Sequence, residues 1–95
     1  MDPLFSIITV TWNAADVITP TLQSVRRQTS TDYELLIIDG AATDDTLAIV
    51  RGASIASMRV FSEPDNGLYD AMNKGIAKAR GRYLIFLNAG DAFAD

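Results

Sequence analysis

The sequence predicts an α/β fold, a parallel sheet laid down in the order βαβαβαβ with helices on its faces. Two observations carry that expectation. Short apolar, β-branched runs alternate along the chain with segments of helical period, and the connections between them are short, with no internal repeat, low-complexity tract or linker. Ninety-five residues, 48% of them hydrophobic and 21% charged, supply one globular domain and not two.

The first run, Phe5–Thr11 (FSIITVT), is bounded by polar residues and suits a strand buried on both faces. Segment 13–28 follows with Val17, Leu22 and Val25 at helical spacing. Within it Thr19-Pro20 has the form of an N-cap with proline at the first helical position, which predicts a helix over Pro20–Arg27. Leu35–Ile38 reads as a second buried strand, ending in Asp39-Gly40 with a turn after it. Thr43 is expected to cap a helix running to Arg51, with Asp44 and Asp45 in its first turn, where the helix dipole favours carboxylates. Met58–Ser62 is a third, shorter strand, and Glu63-Pro64-Asp65-Asn66-Gly67 after it is dense in turn formers. Leu68, Met72 and Ile76 then recur at i, i+4 and i+8, with Ala71 and Ala79 beside them. This predicts a third helix that starts at Leu68, carries the favourably ordered pair Asp70 and Lys74, and ends at Gly81. Tyr83–Leu87 (YLIFL) is the fourth strand, apolar enough to be covered on both faces, and it leads into Asn88-Ala89-Gly90-Asp91.

Composition excludes several kinds of function. Twelve acids against eight bases give a net charge of -4, a poor match to a phosphate backbone, so nucleic acid is not an expected partner. No apolar run approaches the roughly 18 residues that span a bilayer, and Met1-Asp2-Pro3-Leu4 lacks the form of a signal peptide. A soluble, cytoplasmic protein is expected. With neither Cys nor His there is no disulfide, no thiolate or imidazole metal site and no Ser/His/Asp triad, and any metal must be held by oxygen.

In open α/β sheets ligands bind outside the carboxyl ends of the strands. Those ends are polar here: Thr11, Trp12 and Asn13; Asp39; Glu63, Asp65 and Asn66; Asn88 and Asp91. Each alone is ordinary turn chemistry, but four such edges on one side of a sheet weigh more than one. There is no GxxxxGK[ST] and no GxGxxG, and Thr-Trp-Asn stands where a phospho-acceptor domain would need acids. Carboxylates repel a diphosphate unless Mg²⁺ or Mn²⁺ lies between them, so a metal-bridged nucleotide fits what remains.

The runs SIITVTWN, ELLIIDGAATDDT and SEPDNGLYDAMNKGIAKARGRYLIFLNAGD resemble, in order and spacing, the start of a family 2 glycosyltransferase of the GT-A (Rossmann-like) type, which uses nucleotide-sugar donors. They are especially similar to bacterial members of exopolysaccharide or colanic-acid-type synthesis. The resemblance implies the nucleotide-binding half of that fold and a nucleotide-sugar donor, and it implies nucleotide contacts at Thr9, Trp12, Asp39, Asp65 and Asn73. Trp12 reads equally well as a core aromatic, and Asp70 as a surface partner of Lys74. Asp39 matches the first acid of the family's D-D-G-S-T-D stretch, where it would bond base or ribose; the usual second Asp is Gly40 here and the usual Ser is Ala42. Asn88-Ala89-Gly90-Asp91 stands at the family's D-x-D metal motif with only the final acid retained, so Asp91 inherits the Mn²⁺ or Mg²⁺ and Asn88 assists.

The resemblance places the family's general base beyond the D-x-D region, and no catalytic residue is assigned within these 95 residues. The expectation is therefore a truncated donor-binding domain over 1–95 that does not transfer sugar, with a non-catalytic nucleotide-binding or structural fragment as the alternative. For the full-length enzyme the implied partners are the donor and a saccharide or lipid-linked acceptor, at the inner face of the membrane. An exposed edge at the fourth strand would pair with another chain, giving a homodimer.

Overall fold

The computed structural model describes residues 2–28 and 32–91. The elements are β1 (Phe5–Thr11), α1 (Ile18–Arg26), β2 (Tyr33–Asp39), α2 (Thr46–Gly52), β3 (Met58–Ser62), α3 (Leu68–Lys78) and β4 (Tyr83–Phe86). The four strands form one sheet in the order β3-β2-β1-β4 with every pairing parallel, the α/β architecture that the alternating runs predict.

Because side chains alternate across a strand, the apolar centres of β1 and β2 feed two cores at once. Ile7, Leu35 and Ile37 face α1 and α2, packing with Ile18, Leu22, Val25 and Val50. Ile8, Leu36 and Ile38 face the other way, onto Ala71 of α3. This two-sided cover is what lets a strand centre such as Leu35–Ile38, apolar on both faces, fold in water.

Four local expectations need correction. α1 begins at Ile18, with Val17 at its N-cap, and so Thr19-Pro20 lies inside the first turn. Proline is tolerated there because the first N–H groups of a helix have no intrahelical acceptor. α2 begins at Thr46 with Asp45 at its N-cap, and Thr43 does not cap it: the Thr43 hydroxyl is directed to Asn13 Oδ1 at 3.4 Å instead of to a helix N–H. α3 presents Ala71 and Gly75 to the sheet, whereas Leu68 and Ile76 of the apolar stripe are exposed. A Cβ on Gly75 would lie 2.5 Å from Ile8 Cγ2, so only small residues let the helix lie this close. Finally, β4 is not covered on both faces: Tyr83, Leu84 and Phe86 are 53%, 40% and 39% exposed, because α3 packs over β1 and β2.

At the amino end of the strands a buried carboxylate ties the fold together. Glu34 accepts from Ser6 Oγ (2.6 Å), from the Arg80 N–H (2.6 Å) and from Arg59 Nη2 (2.6 Å), and Arg59 also donates to the Lys78 carbonyl at 2.8 Å. One side chain thus joins β1, β2 and β3 to the end of α3. Burial pushes its pKa up, but the Ser6, Arg80 and Arg59 hydrogen bonds and the Arg59 charge outweigh that, and the net shift is downward.

Candidate functional site

Parallel pairing brings Thr11, Asp39 and Ser62 into one row at the carboxyl ends of β1, β2 and β3. Residues in register on neighbouring parallel strands share a face, so the three side chains meet. Thr11 Oγ1 donates to Asp39 Oδ1 at 2.7 Å, and Ser62 Oγ and the Ala42 N–H donate to Asp39 Oδ2 at 2.9 and 2.8 Å. Asp39 is 1% exposed, and both its oxygens are engaged.

The loops above this row are stitched to each other. Asn13 Oδ1 receives the Thr43 N–H. Asp44 accepts from the Ala15 N–H (3.2 Å), the Thr46 N–H (3.0 Å) and the Thr46 hydroxyl, which in turn receives the Ala14 N–H at 2.8 Å. The Thr46 hydroxyl is the main reason the Asp44 pKa is lowered; burial opposes it, and the Thr46 and Ala15 amides add to it. Two residues in this region have left-handed backbones, Asn13 (φ 46°) and Ala41 (φ 62°).

A cleft of about 280 Å³ opens beside the row, lined by Val10, Thr11, Trp12, Asp65, Gly67 and Leu68. Trp12 is 66% exposed and is not a core aromatic. Asp65 is half-buried, and its Oδ1 accepts the Gly67 N–H at 3.1 Å. The loop carrying it is braced by Asp70, which accepts the Asn66 N–H at 2.9 Å, and by Lys74, which reaches the Pro64 carbonyl at 2.9 Å, Glu63 at 3.3 Å and Asp70 at 3.5 Å. The pairing of Asp70 with Lys74 is therefore the one formed. The Asn66 amide leads in lowering the Asp70 pKa, burial opposes it, and Lys74 adds to the lowering. A larger hollow of about 390 Å³ lies at the opposite end of the strands, beside Glu34 and Arg59, where the polar groups are already bound to one another.

The fourth edge is the loop after β4. Pairing with β1 continues through Leu87 N–H to Ile8 O (3.0 Å) and Ala89 N–H to Val10 O (3.4 Å), which sets Asn88 beside Val10. The Asn88 Oδ1 is buried and has no hydrogen-bond partner among the described residues. The loop is docked on α1 by Thr21, whose hydroxyl donates to the Asp91 carbonyl at 2.5 Å and accepts the Gly90 N–H at 3.0 Å. The Asp91 residue is exposed.

The sequence profile of glycosyl transferase family 2 matches residues 6–95, which is nearly the whole chain. The chain belongs to glycosyltransferase family 2. It is 42% identical over 93 residues to the PGL/p-HBAD biosynthesis glycosyltransferase of Mycobacterium bovis, covering 95% of this chain and 36% of that protein. To the putative teichuronic acid biosynthesis glycosyltransferase TuaG of Bacillus subtilis it is 37% identical over 92 residues, covering 94% and 36%. It thus spans about a third of the length of these curated relatives. Among solved structures, S. aureus TarS 1-349 in complex with UDP-GlcNAc aligns with a TM-score of 0.87 at 28% identity, over 97% of this chain and 27% of TarS. The mannosyltransferase PcManGT from Pyrobaculum calidifontis, in complex with GDP-Man and Mn²⁺, aligns at 0.90 over all of this chain and 30% of its own, and at 22% identity it speaks for the fold alone. The parallel βαβαβαβ sheet is that of the GT-A (Rossmann-like) glycosyltransferases.

Within this family 2 chain the site residues expected from the sequence divide. Trp12 and Asp65 meet at the cleft, Asp39 lies beneath it, and Asp91 stands on the neighbouring loop. Thr9 does not reach the cleft: it is fully buried in mid-strand, two residues short of Thr11 at the end of β1, which does line the cleft. Asn73 does not reach it either. It is exposed and lies roughly opposite Ala71 and Gly75, which turn α3 toward the sheet, so its side is directed away from the sheet's edge. Two contributors went unread in the sequence. Ser62 is identified only by register, whereas Thr21, a polar residue within the buried stripe of Ile18, Leu22 and Val25, carried a signal, since a buried hydroxyl needs a partner.

The metal motif can be tested against the residues present. Among the described residues no three acidic groups cluster as a self-sufficient metal site. An exposed Asp91 carboxylate and the unpartnered Asn88 amide oxygen are nevertheless hard oxygen donors on one loop, a set that suits a Mg²⁺-like ion whose remaining ligands are phosphate oxygens and water.

Proposed function

We propose that this chain forms the donor-binding part of a nucleotide-diphosphate-sugar-dependent glycosyltransferase of bacterial polysaccharide synthesis. The observation that carries the reading is the cleft at the carboxyl edge, where an exposed Trp12 and the Asp65 carboxylate face one another's space beside the Asp91 loop. An exposed indole offers a stacking surface to a base, and a carboxylate accepts hydrogen bonds from imide or hydroxyl donors. Asp39 fixes the ends of β1, β2 and β3 under the nucleoside through its bonds to Thr11 and Ser62. Asp91, with Asn88, would hold Mn²⁺ or Mg²⁺ against the diphosphate; when bound, the ion neutralises charge on the leaving group.

In the whole enzyme the acceptor is a saccharide or a lipid-linked molecule, met at the inner face of the membrane. No described helix is long and apolar enough to cross a membrane. The resemblance places the general base beyond the metal motif, so residues 1–95 alone are expected to bind donor without turning it over.

A thermal-shift screen of UDP, GDP, TDP and CMP with and without Mn²⁺ tests this, since a ligand of the folded state raises its stability by mass action. The expected result is a nucleoside diphosphate that stabilises the chain more strongly with Mn²⁺, an increment that Asp91→Ala removes. No shift with any nucleotide would contradict the reading, and acceptor-dependent release of nucleoside diphosphate would contradict the inactivity of residues 1–95.

A further inference from the structure

Gly40 stands where the family's usual second Asp would follow Asp39, and the structure supplies a reason. The backbone at Gly40 is not in the left-handed region, which is populated by Gly67 and Gly90 among the described glycines, so its lack of a side chain is not required by conformation. What it meets is Asp65. A Cβ built on Gly40 would lie 2.8 Å from Asp65 Oδ2, 3.4 Å from its Cγ and 3.5 Å from its Oδ1. The carboxylate of the β3–α3 loop therefore occupies the space that a side chain at the end of β2 would enter.

The neighbouring carboxylates do not compete for the role. Asp39 is 1% exposed and held by Thr11, Ser62 and the Ala42 amide, whereas Asp65 lines the cleft with Trp12 and, among the described residues, spends only Oδ1 on a protein hydrogen bond. We infer that Gly40 and Asp65 form a coupled pair: the acid missing from the end of β2 is supplied from the β3–α3 loop, and Asp65 is the specificity-determining carboxylate for the nucleoside, with Asp39 as a positioning residue. The inference rests on the donor-binding reading above. As an acceptor, Asp65 selects a nucleoside that offers a donor, either a ring N–H of the base or a ribose hydroxyl.

Titration of the chain with UDP, CDP and 2′-deoxy-UDP in the presence of Mn²⁺ separates these sources, because CDP lacks the ring N–H and deoxy-UDP lacks one hydroxyl. Asp65→Asn, which is isosteric and keeps an oxygen for the Gly67 amide, should lower UDP affinity by about 10- to 100-fold, the value of one hydrogen bond to a charged group. It should also abolish either the preference for UDP over CDP or that for UDP over deoxy-UDP, at an unchanged melting temperature. Gly40→Ala, which displaces the carboxylate without removing it, should weaken UDP in the same sense. The inference is overturned if Asp65→Asn leaves UDP affinity intact, or lowers it while both preferences persist, or if Gly40→Ala binds as the unsubstituted chain does. Failure of the unsubstituted chain to bind any of the three overturns the inference, and failure with GDP and TDP as well would sink the donor-binding reading itself.

Discussion

A carboxylate with three donors around it and almost no open surface is a structural part before it is a recognition group. That is the position of Asp39, and it makes Asp39→Asn informative. An amide cannot accept at both ends, so one donor among Thr11, Ser62 and the Ala42 N–H loses its partner. The expected cost is about 1–3 kcal/mol of stability, read by urea unfolding. A variant as stable as the parent would show that the row is not a brace. Ala41 is a second residue whose backbone decides the outcome. At φ 62° its Cβ is strained, and Ala41→Gly should raise stability by up to about 1 kcal/mol, the relief being partly offset by the freer unfolded chain. A loss of stability on that change would mean that the Ala41 side chain has a packing role outweighing its strain.

Elements are bound to one another by a few buried links, and Glu34 is the one with a pH signature. Its folded pKa is lowered from an ordinary value of 4.5, so the unfolded chain takes up its proton first as pH falls. The stability it contributes is complete above that value and is lost as pH drops through the lower folded one. Glu34→Gln should therefore be less stable than the parent at pH 7, and the difference should shrink below about pH 4.5; a constant difference across that range would contradict the linkage. Gly75→Ala should cost about 1–3 kcal/mol, because the added methyl must displace Ile8. Full stability in that variant would mean that α3 can lift off the sheet cheaply. Element order was legible in the sequence because short apolar runs such as LLII and YLIF, bounded by turn formers and separated by segments of helical period, read as buried strands. The sheet-facing side of α3 was not, because Ala71 and Gly75 carry little hydrophobic signal beside Leu68 and Ile76. The start of α1 was misread for a related reason: Thr19-Pro20 satisfies the local rule for a helix start, and the earlier start at Ile18 is anchored by the Ala14 carbonyl, which receives the Val17 and Ile18 amides. The pairing of Gly40 with Asp65 joins positions far apart in sequence, and only the folded sheet brings them together.

The whole molecule has one end committed to polar chemistry and one edge left apolar. Tyr83, Leu84 and Phe86 lie exposed on β4, whose outer side has no strand beside it among the described residues. Open parallel edges recruit other chains, so residues 1–95 should self-associate, as light scattering at about tens of micromolar would register. Leu84→Lys should return a monomer, and a clean monomer in the parent would contradict edge pairing. The net charge of -4 adds a reason for a cation at the diphosphate, since acid-rich surfaces do not welcome polyphosphate unaided. A nucleoside site at the cleft of Trp12 and Asp65 has a reporter built in, because Trp12 is the chain's single tryptophan. Its intrinsic fluorescence should change saturably as UDP or GDP is added with Mn²⁺, and the change should be lost in Asp65→Asn over the same concentrations. A signal that stays flat, or that drifts linearly with nucleotide and never saturates, would contradict the account.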